Sequence, residues 1–322
     1  MAKLKTHLKN YWEITKKTFV AWNKADPFRQ SAVVAYYAVF SIPALLVIVI
    51  TFAGFAFGEE AVQGEISRQI SSIMGEKTAE QVEGMIAKAS ATKGGVLATI
   101  ISVITLIFGS TGVFAQLQVS LNQIWEMKAD VKKKWLKTLK DRLFSFGLVM
   151  SIAFLMLVSL MLSAAISVMS GWLKAHLPDF MLVVFEGLNF VISLAIVSVL
   201  FALMFKILPD ARIQMRDVWV GAVFTALLFT LGKSGLGIYF GKANPGSTYG
   251  AAGSIILIML WVSYSCMIVF FGAEFTKQFA LHYGRRIIPK HDAIRIKLTE
   301  EERLVTEKKL AVKAFEKEEA KK

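Results

Sequence analysis

The sequence predicts an all-α polytopic membrane protein. The expected form is a six-transmembrane-helix bundle with both termini cytoplasmic and amphipathic helices on its flanks. Three observations lead there. First, the 322 residues are 55% hydrophobic and only 19% charged, and their mean hydropathy is +0.53; soluble domains carry about 25% charged residues. Second, six stretches supply the roughly 20 apolar residues that a helix needs to cross a hydrocarbon core about 30 Å thick. Third, the net charge of +13 is placed unevenly. Thirty of the 37 Lys and Arg fall in 1–31, 116–142, 206–217 and 276–322, six fall in the alternate connections, and Lys233 lies inside a span. Short flanks rich in Lys and Arg stay cytoplasmic. Leaving out the tail keeps the bias at 17 against six. The basic charge is thereby explained by insertion, and no nucleic acid partner is called for.

The elements follow in order. Residues 1–31 form a cytoplasmic segment containing an amphipathic interfacial helix. Leu4, Leu8, Tyr11, Trp12, Phe19 and Trp22 recur at roughly helical spacing with lysines between them. Such a helix puts aromatics at headgroup level and lysines toward anionic phospholipid. It serves either as an elbow for the first span or as a lipid sensor. Residues 32–275 form the membrane domain, with spans at about 32–57, 94–115, 143–170, 181–205, 218–240 and 251–275. The first span is long enough to remain in the membrane as a signal anchor.

Between spans one and two, residues 59–93 read as an extracytoplasmic helical hairpin. Val62, Ile66, Ile70 and Ile73 make one apolar stripe; Val82, Met85, Ile86 and Ala89 make the other, with Gly75 between. The wet side is acidic, and the hairpin either caps the bundle or docks an envelope protein. Residues 276–322 form a basic, charged cytoplasmic tail, in which Thr299 and Glu302 resemble a capping box.

Polar groups inside a bilayer are costly and face a bundle interior or a water-filled cavity. Lys233 in span five and Glu186 in span four are the leading pair, placed at similar depth by the antiparallel order. Their alternatives are a structural ion pair, a snorkelling lysine, or a charged site in an outward cavity. Tyr36, Tyr37, Ser41, Asn122, Tyr239 and Tyr249 are further candidates for a polar cavity wall. Pro43 removes a backbone hydrogen bond and suggests a hinge. Gly109, Gly112, Gly237, Gly241 and Gly250 are candidates for hinges or close helix packing, as is the pair Gly54 and Gly58. Glu274 ends span six and is expected to pair at the cytoplasmic face with the basic residues that follow, such as Arg285 and Arg286.

Catalytic and cofactor signatures are missing. The four histidines, His7, His176, His282 and His291, form no H-x-x-x-H or H-x-H, and Cys266 stands alone. No metal site, disulfide or cofactor is expected. There is no G-x-x-x-x-G-K-[ST] and no G-x-S-x-G, so neither an ATP-driven engine nor a serine nucleophile is expected.

Four stretches together carry a resemblance. They are AVVAYYAVFSIPALL (Ala32–Leu46), IFGSTGVFAQLQVSLNQIW (Ile107–Trp125), LPDARIQMRDVWVGAVFTALL (Leu208–Leu228) and STYGAAGSIILIMLWVSYSCMIVFFGAEFT (Ser247–Thr276). In order and spacing the chain resembles the YihY/BrkB family of six-span bacterial inner-membrane proteins over roughly residues 15–285. The resemblance implies an all-α fold in the bacterial inner membrane and a role in envelope maintenance, and it brings no established active site. Members have been labelled ribonuclease BN, but the metal-binding H-x-H-x-D-H of that chemistry does not occur here. The expectation is therefore a non-enzymatic transporter or lipid-handling protein, with a structural or assembly protein as the alternative and a membrane-bound ribonuclease disfavoured.

Overall fold

The computed structural model describes residues 2–74, 79–80, 83–84, 96–129, 179–243, 252–290 and 293–295. The third predicted span, most of the second half of the hairpin, Tyr249, Gly250 and the chain beyond 295 lie outside the described residues. Helix α1 spans Ala2–Lys24, α2 Pro27–Phe57, α3 Glu59–Met74 and α4 Val96–Ile124. After the short strand β1 (Met127–Ala129) come α5 (Asp179–Ile207), β2 (Ala211–Arg212), α6 (Met215–Ala243) and α7 (Gly253–His282). Strands β3 (Ile288–Pro289) and β4 (Ala293–Arg295) close the described chain.

The break between α1 and α2 is local chemistry. Asp26 is left-handed, at φ 53, a region that Asp tolerates better than most residues. Pro27 then opens α2, where its missing N–H costs nothing. Helix α2 runs 31 residues, about 46 Å at 1.5 Å per residue, and is assigned as helix through Pro43 without a break. It ends at Gly58, whose φ of 86 suits a glycine and whose N–H donates to the Gly54 carbonyl. Gly58 is thus a helix terminator, not half of a packing pair; nothing lies where its Cβ would be.

The long helices are neighbours in the order α4, α2, α7, α6, α5. Among the described residues three helical segments are long and apolar enough to cross a membrane: Phe190–Ile207, Met215–Phe240 and Gly253–His282. One large core joins them, from Val34, Ala35 and Ala38 of α2 through Leu121 of α4 and Phe205 of α5 to Ala222 and Ala273. Helix α3 lies across the end where α2 and α6 finish. It buries Val62 and Ile66, and Ile70 packs against Phe240 and Leu257.

Helix α1 lies lengthwise along α7. Tyr11 stacks on Phe279, Ile14 is buried with Phe275 and Phe279, and Trp22 meets Phe271 and donates its indole N–H to the Met267 carbonyl at 3.2 Å. The contacts advance along α1 as they retreat along α7, so the two run antiparallel. The sequence places Tyr11, Trp12, Phe19 and Trp22 together at headgroup level; in the structure Trp12 and Phe19 are exposed, whereas Tyr11 and Trp22 pack against α7 and Ile14 and Thr18 are buried.

Strands β1 and β4 pair antiparallel, Met127 opposite Arg295 and Ala129 opposite Ala293. Strands β2 and β3 do the same, Ala211 opposite Pro289 and Arg212 opposite Ile288. The segment after α7 is therefore stitched to the connection after α4 and to the connection between α5 and α6. We call this end of the bundle the clasp. The sequence reading started a tail at 276, whereas α7 continues to His282 and the clasp strands follow it.

Candidate functional site

The described polar groups concentrate at the clasp. Asn122, on the last turn of α4, holds Asp210 from both sides. Its Nδ2 donates to Asp210 Oδ2 at 2.9 Å, and the Asp210 backbone N–H donates to Asn122 Oδ1 at 2.7 Å. The Asp210 carbonyl accepts from the Lys290 N–H at 2.8 Å, which aligns β3 beside β2.

Two lysines cap helix C-termini, where the last carbonyls lack intrahelical partners. Lys277 Nζ donates to the Ile124 carbonyl at 2.8 Å and Lys290 Nζ to the Ile207 carbonyl at 3.0 Å. Lys277 also reaches Glu126 Oε1 at 3.2 Å and Glu274 Oε1 at 3.8 Å. Glu274 is only 2% exposed and accepts from Gln278 Nε2 at 2.7 Å. The pairing expected of Glu274 is thus made by Lys277 and Gln278. Arg285, its expected type of partner, bonds Asp217 in the first turn of α6 instead.

Each of these four carboxylates has a nitrogen partner, which makes the cluster a joint holding three connections together. Among the described residues no group of three or more His, Cys, Asp or Glu could hold a metal ion.

The remaining predicted residues separate into packing groups and outward groups. Tyr37 and Ser41 sit on the α2–α4 seam. A Cβ on Gly112 would lie 2.2 Å from the Tyr37 ring, and one on Gly109 would lie 2.9 Å from the Ser41 backbone nitrogen. The Ser41 hydroxyl is turned to the Ala38 carbonyl of its own helix. Both residues thus lie where α2 and α4 approach closely. Tyr36 and Tyr239 are exposed, each against a neighbouring ring. Gly237 and Gly241 lie in the last turns of α6.

Lys233 is half-buried on α6. The contact of Phe201 with Phe229 sets α5 against α6, and this antiparallel register puts Lys233 level with Val197. The Glu186 backbone is about 11 residues, or about 16 Å, farther along α5 at 1.5 Å per residue. The depth match inferred from span ends is therefore not the register the helices adopt. Counting from span ends failed because the outer ends are not level: in this register α5 begins at Asp179, about eight residues beyond the level at which α6 ends at Ala243.

One arrangement escaped the sequence reading. Helices α6 and α7 cross through two reciprocal Gly–Thr contacts. A Cβ on Gly221 would lie 1.8 Å from Thr276 Oγ1, and one on Gly272 would lie 1.8 Å from Thr225 Oγ1. Each threonine hydroxyl donates to the glycine carbonyl four residues back, Thr225 to Gly221 at 2.6 Å and Thr276 to Gly272 at 2.8 Å. The available signal was a G-x-x-x-T repeated on consecutive spans.

Long apolar helices and a core of closely packed small residues define a helical membrane protein. Comparison with known proteins agrees. The chain belongs to the family described as Virulence factor BrkB, whose model matches residues 18–295, in accord with the resemblance drawn from the four stretches. It is 28% identical to a UPF0761 membrane protein of Verminephrobacter eiseniae over 73% of this chain and 54% of that one. It is 30% identical to one of Tolumonas auensis over 55% and 56%, and 25% identical to one of Pseudoalteromonas atlantica over 75% and 77%. The chain thus spans about half the length of the first two relatives. No solved structure matches.

Proposed function

We propose that this is a six-span protein of the bacterial inner membrane, N-in and C-in, that handles a lipid or similar amphiphile in envelope maintenance without an ATPase of its own. The orientation reading is supported by the clasp. Residues 127–129, 211–212, 288–289 and 293–295, which meet there, all come from flanks that hold the excess of Lys and Arg. Cysteine labelling tests it: Lys128→Cys should react only from the cytoplasmic side and Glu60→Cys only from outside.

The observation that carries the amphiphile reading is Lys233. It is half-buried on Met215–Phe240, a segment long and apolar enough to cross a bilayer. Lys233 lies seven residues, about 10 Å, from the Phe240 end of that segment; its ammonium there costs less than the roughly 2.5–3.5 kcal/mol of a helix centre, and an anionic headgroup drawn to it offsets that cost. Reconstituted vesicles loaded with headgroup-labelled phosphatidylglycerol, phosphatidylethanolamine or lysolipid should show movement between leaflets, slowed in Lys233→Met and retained in Lys233→Arg. Absence of movement in every lipid class, or equal rates in wild type and Lys233→Met, sinks the reading.

An assembly role is the second reading. Helix α3 presents exposed Glu60 and Arg68 while its apolar side is used by the bundle. Crosslinking from Glu60 should then recover one envelope protein reproducibly.

A further inference from the structure

We infer that the outward face of α1 is a docking surface for an anionic phospholipid bilayer. Helix α1 uses Ile14 and Thr18 to pack on α7. At 100° per residue, Trp12, Lys16, Phe19 and Asn23 fall on the opposite side. Trp12 is 63% and Phe19 58% exposed, on a helix whose other side is buried against a membrane-crossing segment. Lys16 Nζ sits 5.3 Å from the Trp12 ring centre. Beside this face a shallow depression is lined by Lys16, Lys17, Val20, Ala21 and Lys24, three ammonium groups over an aliphatic floor.

The chemistry of this face selects its partner. Indole and phenyl rings flanked by lysines suit the boundary between acyl chains and headgroups, where the stem of a lysine lies on apolar surface and its charge reaches outward. Helix α1 carries six lysines and one carboxylate, and that carboxylate, Glu13, is held by Lys17 at 2.8 Å. Such a balance answers phosphodiester charge, which a zwitterionic surface supplies without net attraction. Packing on α7 fixes the depth of the face, so binding requires no folding of α1 at the membrane.

The test uses the full chain in phosphatidylcholine nanodiscs containing a rising fraction of phosphatidylglycerol brominated near the headgroup. The fluorescence difference between wild type and Trp12→Phe isolates Trp12 from the other six tryptophans. Trp12 should be quenched at low phosphatidylglycerol fractions. Lys16→Gln/Lys17→Gln/Lys24→Gln should raise the half-quenching fraction several-fold, while the corresponding triple Arg variant should not. All three lysines are on the helix surface, so the variants keep the core. Trp12 unquenched at every fraction would overturn the inference, and so would equal quenching in wild type and the Gln variant. So would equal quenching by brominated phosphatidylcholine. The inference rests on the membrane reading but not on the direction of insertion, because nanodisc leaflets are alike. An inverted topology would show in the labelling of Lys128→Cys and leave this result unchanged.

Discussion

Gly221→Ala tests the reciprocal crossing of α6 and α7. The new methyl would lie 1.8 Å from Thr276 Oγ1, 2.8 Å from its Cβ and 3.2 Å from its Cγ2. Rotating the threonine moves the oxygen but not its Cβ, so the two backbones must part by about 0.6 Å to reach ordinary contact at 3.4 Å. One turn away, the Gly272–Thr225 contact opens with it. The Phe224–Phe275 stack, with ring centres 3.9 Å apart, loosens as well. Overpacking costs about 1–3 kcal/mol and a lost aromatic pair about 0.5–1.5. Membrane helices associate through such packing and have little hydrophobic drive in reserve. The expected loss is therefore about 2–4 kcal/mol in reversible unfolding by SDS in mixed micelles. Gly235→Ala on the same helix is the control, because nothing lies within 4 Å of its added methyl. Adding Thr276→Gly to Gly221→Ala should recover at least about 1 kcal/mol of coupling. If Gly221→Ala matches the Gly235→Ala control, or Thr276→Gly brings no recovery, the crossing is not set by these contacts.

Three further perturbations probe the other joints. Gly109→Ala should destabilise more than a mobile neighbour would allow, because its methyl meets the Ser41 backbone; the loss, about 1–3 kcal/mol, is read in the same titration, and no substitution at Ser41 should cure it. Asn122→Ala should cost about 1.5–3 kcal/mol by removing the charge-assisted hydrogen bond to Asp210, and hydrogen exchange at the Asp210 amide should rise, while an unchanged amide refutes the clasp geometry. Lys277→Met should be the most damaging, about 3–5 kcal/mol, because it strands buried Glu274 beside Glu126; Glu274→Gln added to it should restore part of the loss, whereas additive losses would show that the three do not act as one group.

The helices were legible because a long apolar run is a property of one segment. Residues 181–205, 218–240 and 251–275 each read as a span before any contact was known. The joints were not, because each depends on two distant segments. Asn122 finds Asp210 across 88 residues, and Lys277 finds Ile124 across 153. Strands of two or three residues, such as Ala211–Arg212, carry no period to detect. Gly109 and Gly112 read as hinge or close-packing positions, and in the structure they lie against Ser41 and Tyr37. Their partners were set by register, however, and only the repeated G-x-x-x-T set Gly221 and Gly272 apart from glycines such as Gly235 that pack against nothing.

The clasp also bears on the order in which the protein matures. Residues 288–289 and 293–295 close the two strand pairs, yet their partners at 127–129 and 211–212 leave the ribosome long before them. Until synthesis passes the last helix, the ends of α4 and α5 lack the lysines that cap them. Long-range pairing of this kind is slow and leaves early segments exposed to misassembly. A chain halted just after α7 would hold every described long helix and still lack the stitch that joins them. Emergence of 288–289 and 293–295, which 27 further residues follow in the sequence, thereby becomes the event that joins the three connections.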